Sequence, residues 1–306
     1  MKIIILNIIL LLLVFYLWEF ITNYLIINKY IIYYMSINGI DIIYWINLDS
    51  SIERKENMEE IFKDDCFKNV PVIKRFSAVD GSNPELVDSM IHINTKKSTV
   101  KEYACLLSHL EIIKTFSESS YNIALIMEDD ATLEFKQYWK DDVQTIIKNA
   151  PDDWDIIMLT YISSEIPPYT YTFNADDIYA SALAYVINKQ SAEILIKKMY
   201  KNEKYYVTEN YYHGPDNYIF QMLKTYTYKY PLFIYKYDET STLHQDHIPL
   251  HNDSKKRIED MYNNLNTGGS IENFYGMKNN NDNKLYDIII IIGWFLFLYY
   301  KLFNNK

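Results

Sequence analysis

Cysteine is nearly absent from this chain: Cys66 and Cys105 are the only two in 306 residues. So few thiols exclude a disulfide framework, allow at most one bridge, and leave no Cys/His spacing of the kind that builds a structural zinc module; two buried thiols are the expectation. An excess of positive charge is lacking too. The 30 Lys and Arg face 40 Asp and Glu, for a formal net charge of −10. That argues against a general nucleic-acid binder, which carries a basic stripe for phosphates. No long low-complexity linker divides the middle of the chain, and no small-x-small cleavage site follows its first apolar run, so a removable secretory leader is disfavoured. With 49% hydrophobic residues the chain is not disordered and can build one large or two small domains plus accessory segments. Its 30 tyrosines, alongside abundant Ile, Asn and Lys, read as compositional bias rather than chemistry.

The two ends are apolar. From Ile3 to Phe20 only Asn7 and Glu19 interrupt the apolar run, which resumes through Ile27 and again from Ile31 to Met35. About 20 such residues span a bilayer as a helix, so residues 1–36 are expected to form an uncleaved membrane anchor. A second segment within residues 288–303 is shorter. It is expected to cross with snorkelling of Lys284 and Lys301, to lie in the interface, or to dock on the protein as a core helix. If both segments span, the termini share one side, which the positive-inside rule assigns weakly to the cytoplasm through Lys2, Lys301 and Lys306. The intervening domain then faces the lumen or the exterior. A sequon, Asn252-Asp253-Ser254, permits that placement.

Between the ends, residues 41–249 alternate strand-like and helix-like stretches, the pattern of an α/β domain with a mostly parallel sheet. Ile42 to Leu48 reads as the first strand. Ser50 to Phe62 reads as a helix opened by Asp49 or Ser50, with Glu53 in an approximate capping box. Val72 to Ala78 is expected as the second strand, turned by Asp80-Gly81. Val100 to Ser117 fits a helix whose apolar face holds Tyr103, Leu106, Leu107, Leu110, Ile113 and Phe116. Trp154 to Tyr161 and Ala182 to Ile187 repeat the buried-strand pattern, and Ser191 to Tyr200 and Asp216 to Leu223 read as helices. Residues 250–284 are polar, with a Gly- and Asn-rich stretch from Thr267, and are read as a linker.

The chemistry concentrates in Asn122 to Asp130, NIALIMEDD. A short apolar run suits a strand buried on both faces, and ligands bind at the carboxyl ends of such strands. Glu128, Asp129 and Asp130 leave the sheet there, and oxygen-rich clusters suit the hard cations that accompany diphosphates. The competing reading is a solvated turn, with Asp130 capping a following helix.

Several stretches, in order, resemble glycosyltransferase family 25, which includes bacterial lipooligosaccharide galactosyltransferases and procollagen galactosyltransferases. Tyr44-Trp45-Ile46-Asn47-Leu48-Asp49 with Glu53-Arg54 is similar to the family's opening INLD…ER segment, and Arg75-Phe76-Ser77-Ala78-Val79-Asp80-Gly81 to its RFxAxDG turn. Ala104-Cys105-Leu106-Leu107-Ser108-His109 resembles the GCxxSH helix, with Ala104 in place of Gly, and Glu128-Asp129-Asp130 stands where the family has EDD. The resemblance covers roughly Asp41 to Pro249. It implies a GT-A-like, Rossmann-type nucleotide-sugar-binding fold, a UDP-sugar donor and a divalent metal, often manganese. It further implies inverting transfer of a hexose, galactose or glucose, to a hydroxyl of a protein or glycan acceptor.

On that resemblance Asp130 is the expected metal ligand, with Glu128 and Asp129 binding the ribose or ordering the metal shell. Asn47, Arg54 and Asp80 are candidates for donor binding, although Arg54 reads equally as a structural ion pair. Ser108 and His109 lie on the helix before the acidic strand, where His109 is either a hydrogen-bonded core residue or a donor contact. Asp216, in His213-Gly214-Pro215-Asp216-Asn217, is the candidate base, with an N-cap as its alternative; Asp155 is the second candidate. His244, Gln245, Asp246, His247 and His251 either supply a late metal ligand, His244 foremost, or form an exposed loop. The alternative to an enzyme is an inactive family member used for glycan binding or assembly at a membrane.

Overall fold

The computed structural model describes residues 15–16, 18–19, 22, 35–93, 98–174, 178–207, 214–236 and 248–266. Most of the expected anchor, the 288–303 segment, much of the 250–284 linker, and His213, His244, Gln245, Asp246 and His247 lie outside them. Among the described residues no helix is long and apolar enough to cross a membrane. The chain divides into two compact units, residues 1–255 and 256–306; the second is described as far as Asn266, all of it helical.

The first unit is a mixed α/β fold on a seven-stranded sheet. In chain order its strands are β1 (Ile42–Asn47), β2 (Ile73–Ser77), β4 (Ile123–Glu128), β6 (Ile156–Met158), β7 (Tyr171–Phe173), β8 (Ala184–Asn188) and β11 (Thr225–Tyr228). Across the sheet they run β2-β1-β4-β8-β6-β11-β7. β2, β1 and β4 are mutually parallel, β8 runs against both β4 and β6, β11 is parallel to β6, and β7 is antiparallel at the edge. Five of the seven therefore point one way, which bears out a mostly parallel sheet, while the reversed β8 brings its starting end to where β4 finishes. A three-stranded sheet joins β3 (Ile91–Ile93), β10 (Lys204–Val207) and β9 (Tyr200–Lys201), and β5 (Ala131–Thr132) pairs with β12 (Ile234–Tyr235). The β9–β10 hairpin turns through Asn202 and Glu203, both at positive φ, the conformation that a two-residue hairpin loop with the proper twist requires.

β1 is buried along its whole length and β4 over Ala124–Met127, as expected of strands covered on both faces. The helices are α1 (Ile52–Ile61), α2 (Pro84–Met90), α3 (Val100–Ser117), α4 (Val143–Asn149), α5 (Lys189–Met199), α6 (Pro215–Met222) and α7 (Ile248–Asn266). α3 has the bounds its periodicity predicts, and all six residues of its apolar face are at most 2% exposed. It begins in a capping box: Thr99 accepts from the Glu102 N–H while the Glu102 carboxylate accepts from Thr99 N–H. It packs on β1, α2, α5 and α6, and because neighbours surround it, Ser108 and His109 on its other faces are buried as well. Each large apolar side chain so covered contributes roughly 1.5–3 kcal/mol.

Some local expectations give way. α1 starts at Ile52, and Ser51 at its N-cap makes no side-chain capping bond. Asp49 is drawn away instead, accepting from Arg75 (2.6 Å) and Ser77 (2.8 Å) of β2, the first a bond between two charged groups. β6 is only three residues long, since the run beyond Met158 leaves the sheet. Cys66 and Cys105 are both free thiols.

Candidate active site

The register of the parallel strands sets the site. Ile46 of β1 pairs with Glu128 of β4, and Asn47 pairs with Ser77 of β2, so the carboxyl ends of three strands form one rim. β4 ends at Glu128, whose N–H donates to Leu183 O (2.8 Å) ahead of β8. Asp129 and Asp130 then form a turn into β5, held by Lys236 N–H on Asp130 O (2.6 Å). No helix follows, so Asp130 is not a cap.

The three carboxylates of the triplet separate, because strand alternation and the turn aim each one differently. Glu128 meets His109, with Nε2 and Oε1 3.0 Å apart. The other nitrogen of that ring, Nδ1, is 3.0 Å from the Tyr185 hydroxyl. Asp129 is clamped: Asn47 Nδ2 donates to Oδ2 at 2.6 Å and Arg54 Nη1 to Oδ1 at 3.1 Å. Burial pushes the Asp129 carboxyl up, and those two partners oppose the rise. Asp130 differs, because its Oδ1 is buried with no hydrogen-bond partner. Burial, followed by the charge of Glu128, pushes its carboxyl up to about 7, with Arg54 working in the opposite direction. Of the three, Asp130, the expected metal ligand, is the one with a buried oxygen left unpaired, while Glu128 and Asp129 are engaged by neighbouring side chains.

The Asn47 and Arg54 candidates converge on the acidic turn and brace Asp129. Arg75 backs them, donating from Nε to Asn47 Oδ1 (2.9 Å) and from Nη2 to Asn47 O (3.2 Å). Asp80 lies in the turn after β2, where Ser82 N–H donates to it (2.8 Å) and holds its carboxyl below the usual range. Ser108 uses its hydroxyl inside the fold, accepting from Val79 N–H (2.9 Å) and donating to Ala104 O (2.8 Å); it fastens the Asp80 turn to α3. Ala104 belongs to the same contact. A Cβ on Gly81 would lie 2.8 Å from Lys101 Cα and 3.3 Å from Ala104 Cβ, so Ala104 packs on the turn.

Asp216 comes to the site from α6, whose N-cap is Gly214; the N-cap reading of Asp216 is corrected. Its Oδ2 accepts from Ser181 N–H (3.1 Å) and its Oδ1 from Asn217 N–H (3.0 Å). Burial pushes its carboxyl up against those two bonds, and the charge of Glu128 adds to the rise. Ser181 holds its N–H in place with φ at 115°, a backbone conformation costing about 1–3 kcal/mol in a residue with a side chain. A Cβ at Gly214 would sit 2.8 Å from Asp216 Oδ1, so the glycine makes room for this carboxylate.

Asp155 is not brought to the rim, which corrects its place as second candidate for the base. It precedes β6, level with the start of β4, five residues or about 17 Å along the sheet from Glu128. Its carboxylate accepts from Ser191 Oγ and from Lys224 N–H, tying strand ends together. His251 lies on α7, with its carbonyl accepting from Tyr235 OH.

A groove of about 570 Å³ opens over Asp129 and Asp130, lined also by Asn57, Asp64, Lys63 and Lys236. That volume lies within the range of small-molecule sites. Residues that reading by motif missed are Cys105, Ser181 and Tyr185. The one signal available was Cys105 standing four places before His109, on one helical face.

The fold is of the α/β class with a mostly parallel sheet, in which ligands bind at the carboxyl ends of the strands, and here those ends carry a carboxylate-rich rim beside a groove. The family model described as Glycosyltransferase family 25 (LPS biosynthesis protein) matches residues 40–212, more than half of the chain, and the protein belongs to that family of glycosyltransferases. The match takes in the rim and stops just short of Asp216. Comparison with curated proteins found no match.

Proposed function

We propose that this chain is a membrane-anchored, GT-A-like glycosyltransferase that moves a hexose, galactose or glucose, from a UDP-sugar to a hydroxyl of a protein or glycan acceptor with inversion. Family membership supports sugar transfer from a nucleotide sugar. The observation that supports a metal at this rim is the buried, unpartnered Oδ1 of Asp130 at the carboxyl end of β4. A carboxylate oxygen taken out of water without a donor is costly unless a cation meets it, and an all-oxygen environment suits a hard ion such as manganese or magnesium.

Asp130 would hold that ion. When bound, a divalent metal stabilises charge developing on a diphosphate leaving group. The other roles fall to the chain itself. Asn47 and Arg54, braced by Arg75, keep Asp129 directed at the groove, where its carboxylate can take ribose hydroxyls. Asp216 accepts the acceptor hydroxyl proton. Its raised pKa makes it a stronger base than an exposed aspartate, and Ser181 and Asn217 fix its orientation. The exposed aromatic side chains of Phe15, Tyr16 and Trp18, 68%, 61% and 68% accessible on a helix, favour lipid as the environment of the first segment; the domain it carries is assigned to the lumenal or extracytoplasmic side.

The test is UDP release from a panel of UDP-sugars with manganese and with EDTA, beside Asp130→Asn. Metal-dependent release lost in a folded variant is the expected result. Full activity in Asp130→Asn removes the metal assignment. A folded protein that neither binds nor turns over any donor shifts the reading to a non-catalytic glycan-binding member.

A further inference from the structure

Cys105 and His109 stand one turn apart on the same face of α3, and Glu128 at the end of β4 comes to meet them. One ligand atom from each, Sγ, an imidazole nitrogen and a carboxylate oxygen, all lie within 4.8 Å of one another. We propose that these three side chains form a second metal site, separate from Asp130, which takes a thiophilic divalent cation of the zinc type with its fourth position open to solvent.

The donor set differs in kind from that of Asp130. A thiolate and an imidazole select borderline-soft ions, whereas carboxylate oxygens alone suit hard ones. Three protein ligands with one open position is an established zinc arrangement. His109 is fully buried, and the Tyr185 hydroxyl on Nδ1 holds the ring with Nε2 towards Glu128. Ligating histidines commonly carry such a partner on the second nitrogen. Glu128 keeps 29% of its side chain exposed, leaving a route in for the ion. The groups facing Cys105 are carboxylates, those of Glu128, Asp216, Asp130 and Asp129. Burial first, and then these charges, disfavour a bare thiolate, and the same carboxylates favour a dication. Binding therefore releases the thiol proton to solvent as the metal–sulfur bond forms. The bound ion would pin the end of β4 to α3, beside the acidic turn. Sequence spacing could not reveal the site, because its third ligand arrives from a strand 19 positions beyond His109.

The experiment reads the metal and not the transfer reaction. Cobalt(II) added to the metal-free full chain is expected to give a near-ultraviolet sulfur-to-cobalt charge-transfer band. The band should disappear in Cys105→Ser, persist in Asp130→Asn, and be displaced by stoichiometric zinc. Absence of the band, or its persistence in Cys105→Ser, overturns the proposal. Should Cys105→Ser fail to fold, X-ray absorption of the zinc-loaded natural chain decides: a sulfur neighbour at about 2.3 Å supports the site, and a shell of oxygen and nitrogen alone refutes it. Loss of transfer activity in Asp130→Asn leaves the cobalt band untouched, so failure of the transferase reading and failure of this one are separable.

Discussion

Asp130→Asn should make the metal-free protein more stable while removing its metal-dependent activity. The Asp130 carboxyl is pushed up to about 7 in the fold, against about 3.9 in an unfolded chain. The folded state therefore holds the proton more tightly, and between those two values stability falls as pH rises. The penalty is absent below about pH 3.9 and fully present above about pH 7. It amounts to about 4 kcal/mol at pH 8 and to less than half of that at pH 5. An amide removes the charge but leaves an unpaired oxygen in the same buried place, and that desolvation cancels a part of the gain. Taking half, the variant gains about 2 kcal/mol at pH 8, a rise of about 4–8 °C in Tm for a domain of this size. Thermal unfolding of both proteins in EDTA at pH 8 and pH 5 checks this, and the difference should shrink at the lower pH. Manganese should reverse the order at pH 8, since only the natural carboxylate gains from binding. A variant no more stable than the natural protein at pH 8 would show that Asp130 is already satisfied without a cation, and the metal assignment would lose its main support.

Gly214→Ala tests Asp216. Among the described residues its new methyl meets only the carboxylate of that side chain, so Tm should hold within about 2 °C while kcat falls roughly 100-fold from displacement of the base; an unchanged kcat would remove Asp216 from catalysis. Gly81→Ala meets backbone instead, at Lys101 Cα, and should cost about 1–3 kcal/mol in denaturant unfolding because α3 must move to admit the methyl. Arg54→Lys keeps a positive charge but loses the planar fork that reaches Asp129; a loss of about 1 kcal/mol in stability with a raised KM for the donor is expected, and kcat should change less than KM.

Why α3 was legible in the sequence and the site only in part is a matter of range. The helix is set by local terms, a Thr99-x-x-Glu102 capping box and apolar residues at helical spacing, so its ends follow from neighbouring residues. β4 likewise declares itself by an apolar run that stops at Glu128. The direction of β8 carries no such local mark: a buried strand reads the same in either orientation, and only its antiparallel pairing with β4 brings Ser181 to the rim. The side chains of the acidic triplet have the same dependence. Three adjacent carboxylates look like one cluster in sequence, yet each finds its partner from a remote segment: Glu128 from α3, Asp129 from β1 and α1. Asp130 finds none. Asp155 misled because an acidic residue beside a buried strand has the same local appearance at either end, and strand direction alone decides whether it meets ligand or braces a turn. Motif order was enough to indicate the family, since it samples many segments at once. The division of labour within the site depends on which tertiary partner reaches each carboxylate first, and Asp130 stands out as the one left with an oxygen unpaired.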